Sequence, residues 1–207
     1  QIYSKMGAYY NGTKGCKPFA IAKGENFNCI EIDFARVGLK NDGTRNFIES
    51  VIWNLGGTVS YDSSSNGLAS HWYGYERGTT VYNNERPTTW VGKIGLMYPS
   101  DYGYATSGGS TVNRITCLSK ELYSWNALSD CYRDNYLYKS NYSQWTFVPY
   151  SGATRDVYFI SANGNVNNSY YVGGDGTSGV RPTLFLKSNI SIGIGDGSSD
   201  SPYQLSL

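Results

Sequence analysis

The chain holds one histidine, His71, and any Ser-His-Asp or Cys-His arrangement would have to be built on it. No other side chain is an ordinary imidazole base near neutral pH. It sits among aromatics in ASHWYGYERG, and no GxSxG elbow occurs anywhere, so it reads as a structural histidine. Two-carboxylate hydrolysis needs acids held roughly 5–9.5 Å apart across a cleft. Asp101, Glu121, Asp130 and Asp134 are available, but their spacing singles out no pair, and each reads as a turn former, helix-surface charge or loop group. The loops GGDGTSG, with Asp175, and GDGSSD, with Asp196 and Asp200, lack the fixed ligand offsets of a calcium loop and read as Asp-Gly turns. GIGDG has no helix after it and cradles no phosphate. No catalytic residue, metal ligand or cofactor is assigned, and enzymatic activity is not expected.

The four cysteines fall as two closely spaced pairs, Cys16 with Cys29 and Cys117 with Cys131. Neither pair has CxxC spacing and the histidine is remote, which argues against zinc. Of the three connectivities that four cysteines permit, local pairing is the simplest, with four free thiols as the alternative. Each local loop would contribute roughly 3 kcal/mol. Disulfides require an oxidising compartment, so the chain reads as extracellular.

The partner classes narrow further with composition. Seventeen basic against sixteen acidic residues leave a formal +1 and no basic stripe, which excludes nucleic acid as an expected partner. No run of about 18 apolar residues occurs. The chain opens on Gln1, which points to processing or truncation, so membrane attachment would come only through an anchor absent from this chain. Tyr numbers 20 and Gly 25, with abundant Ser and Asn. That mixture argues against a helical bundle and matches the residue types of antibody binding loops, where Tyr gives stiff contact area and Ser, Gly and Asn adaptable hydrogen bonds. A Tyr-rich β-domain with ordinary cross-strand pairs has the same composition.

The elements that must position these residues are short. RNFIESVIWNLGG predicts a helix, with Ile48, Val51, Ile52 and Leu55 at i, i+3, i+4, i+7 and a glycine stop. Residues 91–97 read as a buried strand broken at Tyr98 and Pro99. VNRITCLSKELYSWN predicts a second amphipathic helix with Ile115, Leu118 and Leu122 on one face. SQWTFVPY reads as a core strand, and RDVYFIS with NVNNSYYV as a hairpin turning at Asn163 and Gly164. The second hairpin strand is mostly amides, hydroxyls and phenols, which fits a solvated edge or a surface built for contact. GVRPTLFLK opens a further strand with Pro182 near its start. Residues 1–35 read as extended segments stapled by Cys16–Cys29.

WVGKIGLMYPSDYGYATSGGSTVNRITCLSKELYSWN, QWTFVP, NGNV, GVRPTLFLKSNI and GDGSSDSPYQL, in this order, resemble a group of Firmicutes surface proteins, many of them pilin-like. The resemblance covers about residues 72–207 and implies an α+β, C-type-lectin-like domain of the formylglycine-generating-enzyme type, with short antiparallel strands, two helices and long loops. Residues 1–71 would be an N-terminal part of the same unit or a small appendage. The fold also carries the variable proteins of diversity-generating retroelements, in which Asn codons are rewritten to Tyr, Ser and Asp. The resemblance thus implies a ligand-binding surface from Tyr136, Tyr138, Asn141, Tyr142, Tyr150, Arg155, Asp156, Tyr158, Asn167, Asn168, Tyr170 and Tyr171. Trp145, Phe147, Val157, Phe159, Val166 and residues 179–182 would be framework. Enzymes of this fold hold copper with a late cysteine pair, and no cysteine follows Cys131 here. The implied protein is a bacterial cell-surface or pilus protein that binds a protein or glycan ligand, or a pilus subunit that packs against its neighbours through tyrosines.

Overall fold

The computed structural model describes residues 42–81, 87–153, 156–171 and 178–207. Cys16 and Cys29, Arg155 and Asp175 lie outside the described residues. The fold is mixed α+β, with small antiparallel sheets and short helices.

At the centre is a three-stranded antiparallel sheet of β4 (Gln144–Pro149), β5 (Asp156–Ile160) and β6 (Val166–Tyr171), with β5 in the middle. Every residue of β4 and four of the five in β5 are buried, so both faces of these strands are covered. QWTFVP and VYFI suit that place because aromatic and β-branched side chains pack well on a pleated surface. The free edge of β4 is closed by irregular backbone: Phe147 N–H donates to the Met97 carbonyl at 3.0 Å and Trp145 N–H to that of Gly179 at 3.0 Å. Buried amides are thereby satisfied without another regular strand. β5 and β6 are joined by residues 161–165, a longer connection than a two-residue turn. Gly164 takes φ 93° there, and a Cβ on it would fall 2.4 Å from the Tyr132 ring.

Around this sheet the chain adds α1 (Asp42–Asn46), β1 (Val51–Asn54), α2 (Ala69–Glu76), β2 (Thr89–Gly92), β3 (Ile94–Leu96) and α3 (Pro99–Tyr104). Next come α4 (Arg114–Leu118), a 3₁₀ segment (Leu122–Ala127) and α5 (Ser129–Arg133), and after the central sheet β7 (Pro182–Leu184), β8 (Ser191–Ile192) and β9 (Leu205–Ser206). β1 pairs with β2, β3 with β7 and β8 with β9, all antiparallel. Gly103 lets α3 approach α2 closely, since a Cβ there would lie 2.5 Å from Ala69 Cβ. The core is aromatic: Trp53, Trp72, Trp125, Trp145, Tyr102, Tyr158 and Phe147 are all fully buried. Several meet edge to face, Trp72 and Tyr158 at 4.5 Å and 82° and Trp53 and Phe147 at 5.4 Å and 66°, the geometry ring quadrupoles favour.

Three expectations about elements are corrected. In place of the helix expected over Ile48 to Leu55 stands strand β1, with Trp53 in the strand and Leu55 just after it buried while Ile52 faces out opposite Val91. The strand expected over residues 91–97 is two strands that change partner at Lys93, whose Nζ donates to the Arg45 and Ile48 carbonyls. The second helix breaks into α4 and the 3₁₀ segment, with Leu122 buried and Ile115 80 % exposed. Five short α-helices therefore stand among the described residues where two helices were expected. Cys117 and Cys131 form a disulfide that ties α4 to α5.

Candidate functional site

The described residues singled out for ligand binding lie on either side of β4 in the chain. β4 separates them into two groups, and a strand of six residues spans roughly 20 Å.

The first group lies before β4. Asn135 is buried and fixes the segment, with Nδ2 donating to the Tyr102 carbonyl at 2.7 Å and Oδ1 accepting from Leu137 N–H at 2.9 Å. Tyr136 beside it is 78 % exposed, and its carbonyl accepts from Arg181 Nη1 at 3.3 Å. Tyr142 is 51 % exposed, next to Gly179, and Asn141 is exposed. Tyr138 is half-buried and committed to the fold: its hydroxyl donates to the Ala162 carbonyl at 2.5 Å and its ring packs edge-on against Tyr132 at 4.9 Å.

The second group follows β4 in the chain: Tyr150 lies at its other end, while Tyr158 stands level with its middle and Asn167 with its first residues. Tyr150 N–H donates to the Asp156 carbonyl at 3.0 Å as the chain turns from β4 to β5. Tyr158 belongs to the core, not to a surface. It is 0 % exposed, donates to the Thr58 carbonyl at 2.7 Å, and is ringed edge-on by Tyr61, Trp72 and Tyr150 at 5.1, 4.5 and 5.7 Å. Its assignment as a ligand contact is corrected: on a strand covered on both faces, neither side of the alternation reaches solvent. The Tyr61 hydroxyl donates to Asn168 Oδ1 at 2.7 Å, and the Tyr61 ring meets Tyr123 edge-on at 5.5 Å. Burial, with Tyr123, Asp62 and Tyr150 nearby, pushes the Tyr61 phenol up to about 12.

β6 carries an irregularity under this group. Val157 faces Tyr170 while Phe159 faces Asn167, so β6 spends one more residue than β5 across Tyr158. Tyr170 and Tyr171 stand opposite Val157 and Asp156. The amides of the strand and of the connection before it are partly used inside the protein. Asn165 Oδ1 accepts from Asn126 N–H at 2.7 Å, and Asn167 Oδ1 from Asn168 N–H at 2.7 Å.

The second group is therefore a small aromatic and amide patch, Tyr61, Tyr123, Tyr150 and Asn168, seated on the buried rings of Tyr158 and Trp72. Tyr61 and Tyr123 were missed by sequence reading because they lie far upstream of residues 135–171, in a loop before α2 and in the 3₁₀ segment.

The groups considered for chemistry have local structural roles. His71 Nδ1 accepts from Leu68 N–H at 3.4 Å at the start of α2. Asp101 Oδ2 accepts from Tyr98 N–H at 2.9 Å and caps α3. Asp130 accepts from Thr111 N–H, Thr111 Oγ1 and Val112 N–H at 2.6, 2.7 and 2.8 Å, bonds that hold its carboxyl below the usual range. Ser198 does the same for Asp196 in the exposed loop between β8 and β9. Among the described residues no group of three His, Cys, Asp or Glu side chains stands close enough to hold a metal ion, and no helix is long and apolar enough to cross a membrane.

One buried acid was overlooked in the sequence. Glu76 follows Ala69 and Trp72 at i, i+3, i+7 on the buried face of α2, and burial pushes its carboxyl up to about 7. A carboxylate at a core-facing helical position was the available signal. Compared with known proteins, the chain matches no protein-family model, no curated protein and no solved structure.

Proposed function

We propose that the chain is an extracellular ligand-binding protein of C-type-lectin-like type, which contacts a protein or glycan through tyrosine faces and asparagine amides. The observation that carries this reading is the patch of Tyr61, Tyr123, Tyr150 and Asn168 on a fixed aromatic base. Its rings are held by packing before any ligand arrives, which lowers the ordering cost of binding. Tyr136 and Tyr142, at the other end of β4, form a second exposed contact. The disulfide between Cys117 and Cys131 is compatible with an oxidising, extracellular setting at a bacterial surface.

In this reading the segment 135–171 is diversified by a retroelement, with the folded chain setting which positions can vary. Sequencing the gene across one source population tests this. Variation is expected at Tyr136, Asn141, Tyr142 and Tyr150. Asn135, Trp145, Tyr158 and Val166, all buried, should be spared. Substitutions spread evenly over buried and exposed codons, or none at all, would remove diversification and leave a fixed binding protein. Binding itself is tested by screening immobilised oligosaccharides and surface proteins with the wild type and with Tyr123→Ala/Tyr150→Ala. Every hit retained by the double variant counts against this patch.

A second reading, a pilus or envelope subunit that packs against its own kind, is favoured by one feature. The hairpin of β8 and β9 exposes Ile192, Ile194, Tyr203 and Leu207. Self-association at micromolar concentration, abolished by Ile192→Ser/Ile194→Ser and unaffected by the tyrosine variants, would support it.

A further inference from the structure

The sequence holds three Asn-Gly pairs, and two of them, Asn66–Gly67 and Asn163–Gly164, lie among the described residues. Asn-Gly is a chemically labile dipeptide. With no Cβ in the way, the glycine nitrogen can give up its proton and attack the asparagine side-chain carbon Cγ. The new C–N bond closes a five-membered succinimide, and the side-chain nitrogen leaves as ammonia. Water then opens the ring at one of its two carbonyls, leaving aspartate or, with the backbone routed through the side chain, isoaspartate. The reaction needs a free glycine N–H and a side chain that can swing onto it.

In both pairs a single serine holds both reacting groups. Ser63 accepts the Gly67 N–H on its carbonyl at 2.6 Å, and it donates to Asn66 Oδ1 from its hydroxyl at 2.6 Å and from its N–H at 3.0 Å. Ser161 accepts the Gly164 N–H on its carbonyl at 2.9 Å, and its hydroxyl donates to Asn163 Oδ1. The nitrogen is thus kept from base, and the side chain is turned back toward the serine instead of forward onto the glycine. The two guards differ in strength. The Asn66–Gly67 peptide plane is pinned at both ends, since its carbonyl accepts from the Tyr75 hydroxyl at 3.0 Å. Leu122 N–H holds the following carbonyl, that of Gly67, at 2.9 Å. Asn66 is half-buried, whereas Asn163 is exposed in the connection between β5 and β6. The Ser161 hydroxyl also lies 3.1 Å from the Asn165 carbonyl, so its one proton is shared.

We propose that Ser63 and Ser161 guard the two Asn-Gly pairs against deamidation, and that Asn163 is the weaker of the two, the place where the folded protein ages into aspartate and isoaspartate. Its position gives the reaction a consequence. Asn66–Gly67 closes the loop that carries Tyr61, and Asn163–Gly164 turns the chain into β6, where Asn168 meets the Tyr61 hydroxyl. Isoaspartate at 163 inserts a side-chain carbon into the backbone of that connection. The Gly164 carbonyl, which accepts from the buried Tyr102 hydroxyl at 2.8 Å, would then have to move.

The test is incubation of the full chain in mildly alkaline buffer, folded and in urea, with peptide mapping at intervals to score aspartate and isoaspartate at both positions. In urea the two should convert at similar rates. In the folded protein both should slow by about tenfold or more, Asn66 beyond Asn163, because reaction waits on local opening. Ser161→Ala removes the hydroxyl and leaves the carbonyl, and it should speed conversion at Asn163 severalfold with Asn66 unchanged. Should Ser161→Ala not fold, hydrogen exchange in the wild type reads the guards directly: the Gly67 and Gly164 N–H groups should both be protected, Gly67 the more. Equal rates in folded and unfolded chain, or Asn66 converting ahead of Asn163, would overturn the proposal. So would an unchanged or slower conversion at Asn163 in folded Ser161→Ala, which would make the hydroxyl an activator of Cγ. These readouts need no ligand, so they fail or succeed apart from the binding reading.

Discussion

The Tyr61 hydroxyl donates to Asn168 Oδ1 at 2.7 Å across 107 residues of sequence, joining the loop before α2 to the irregular stretch of β6. The bond uses the acceptor of the Asn168 amide and leaves its two N–H donors for other partners. A residue expected to serve a ligand thus also serves the fold, with separate atoms for each.

That division predicts how Asn168 variants behave. Asn168→Asp keeps an acceptor for Tyr61 and should fold normally while losing the amide donors, and with them any ligand that needs them. Tyr61→Phe and Asn168→Ala should each cost about 0.5–1.5 kcal/mol, and the double variant less than the sum. A double-mutant cycle by urea denaturation measures the coupling. Additive losses would mean that the bond contributes nothing in solution.

Tyrosines of the same segment should separate sharply in stability. Tyr158→Ala removes a ring buried against Trp72, Tyr61 and Tyr150 and should cost about 3–5 kcal/mol. Tyr136→Ala and Tyr142→Ala should stay within about 0.5 kcal/mol of wild type. Denaturant midpoints at constant slope give the comparison.

Breaking the Cys117–Cys131 bridge should cost about 3 kcal/mol, as its loop of 14 residues implies. Cys117→Ser/Cys131→Ser isolates this bridge from Cys16 and Cys29. Its melting temperature against that of the wild type reads the loss.

At alkaline pH the buried phenols act against the fold. Burial raises the Tyr98, Tyr102 and Tyr158 phenols well above 10, so the unfolded chain loses these protons first, and stability falls as pH rises past 10. Absorbance of ionised tyrosine should rise in two stages, with the last phenols appearing together with loss of near-UV circular dichroism. A single early stage, with the fold intact, would mean that these rings reach solvent.

How much of this was legible depended on which neighbours an element meets. β4, β5 and β6 were readable because QWTFVP, VYFI and the turn at Gly164 carry their own period and punctuation. β1 misled because Ile48, Val51, Ile52 and Leu55 satisfy a helical spacing, while Val51, Trp53 and Leu55 equally satisfy the alternation of a strand. Pairing with β2, nearly forty residues later, decided the matter, and local spacing holds no trace of it. For the site, the polar character of β6 was visible, but its partner Tyr61 was not. Nor could the sequence show that β4 would set Tyr142 and Tyr150 at opposite ends, since they are close in the chain.

The pairing of β3 with β7 has a consequence for biosynthesis. Ile94 faces Leu184, 90 residues later, and Ile48 bridges Leu186. At a synthesis rate of about 5–20 residues per second, β3 leaves the ribosome roughly 5–20 s before its partner exists. During that interval the apolar Ile94, Leu96 and Met97 have no β7 beside them. Early release, or truncation before residue 182, would leave that edge open to pairing with other chains until the last strands arrive.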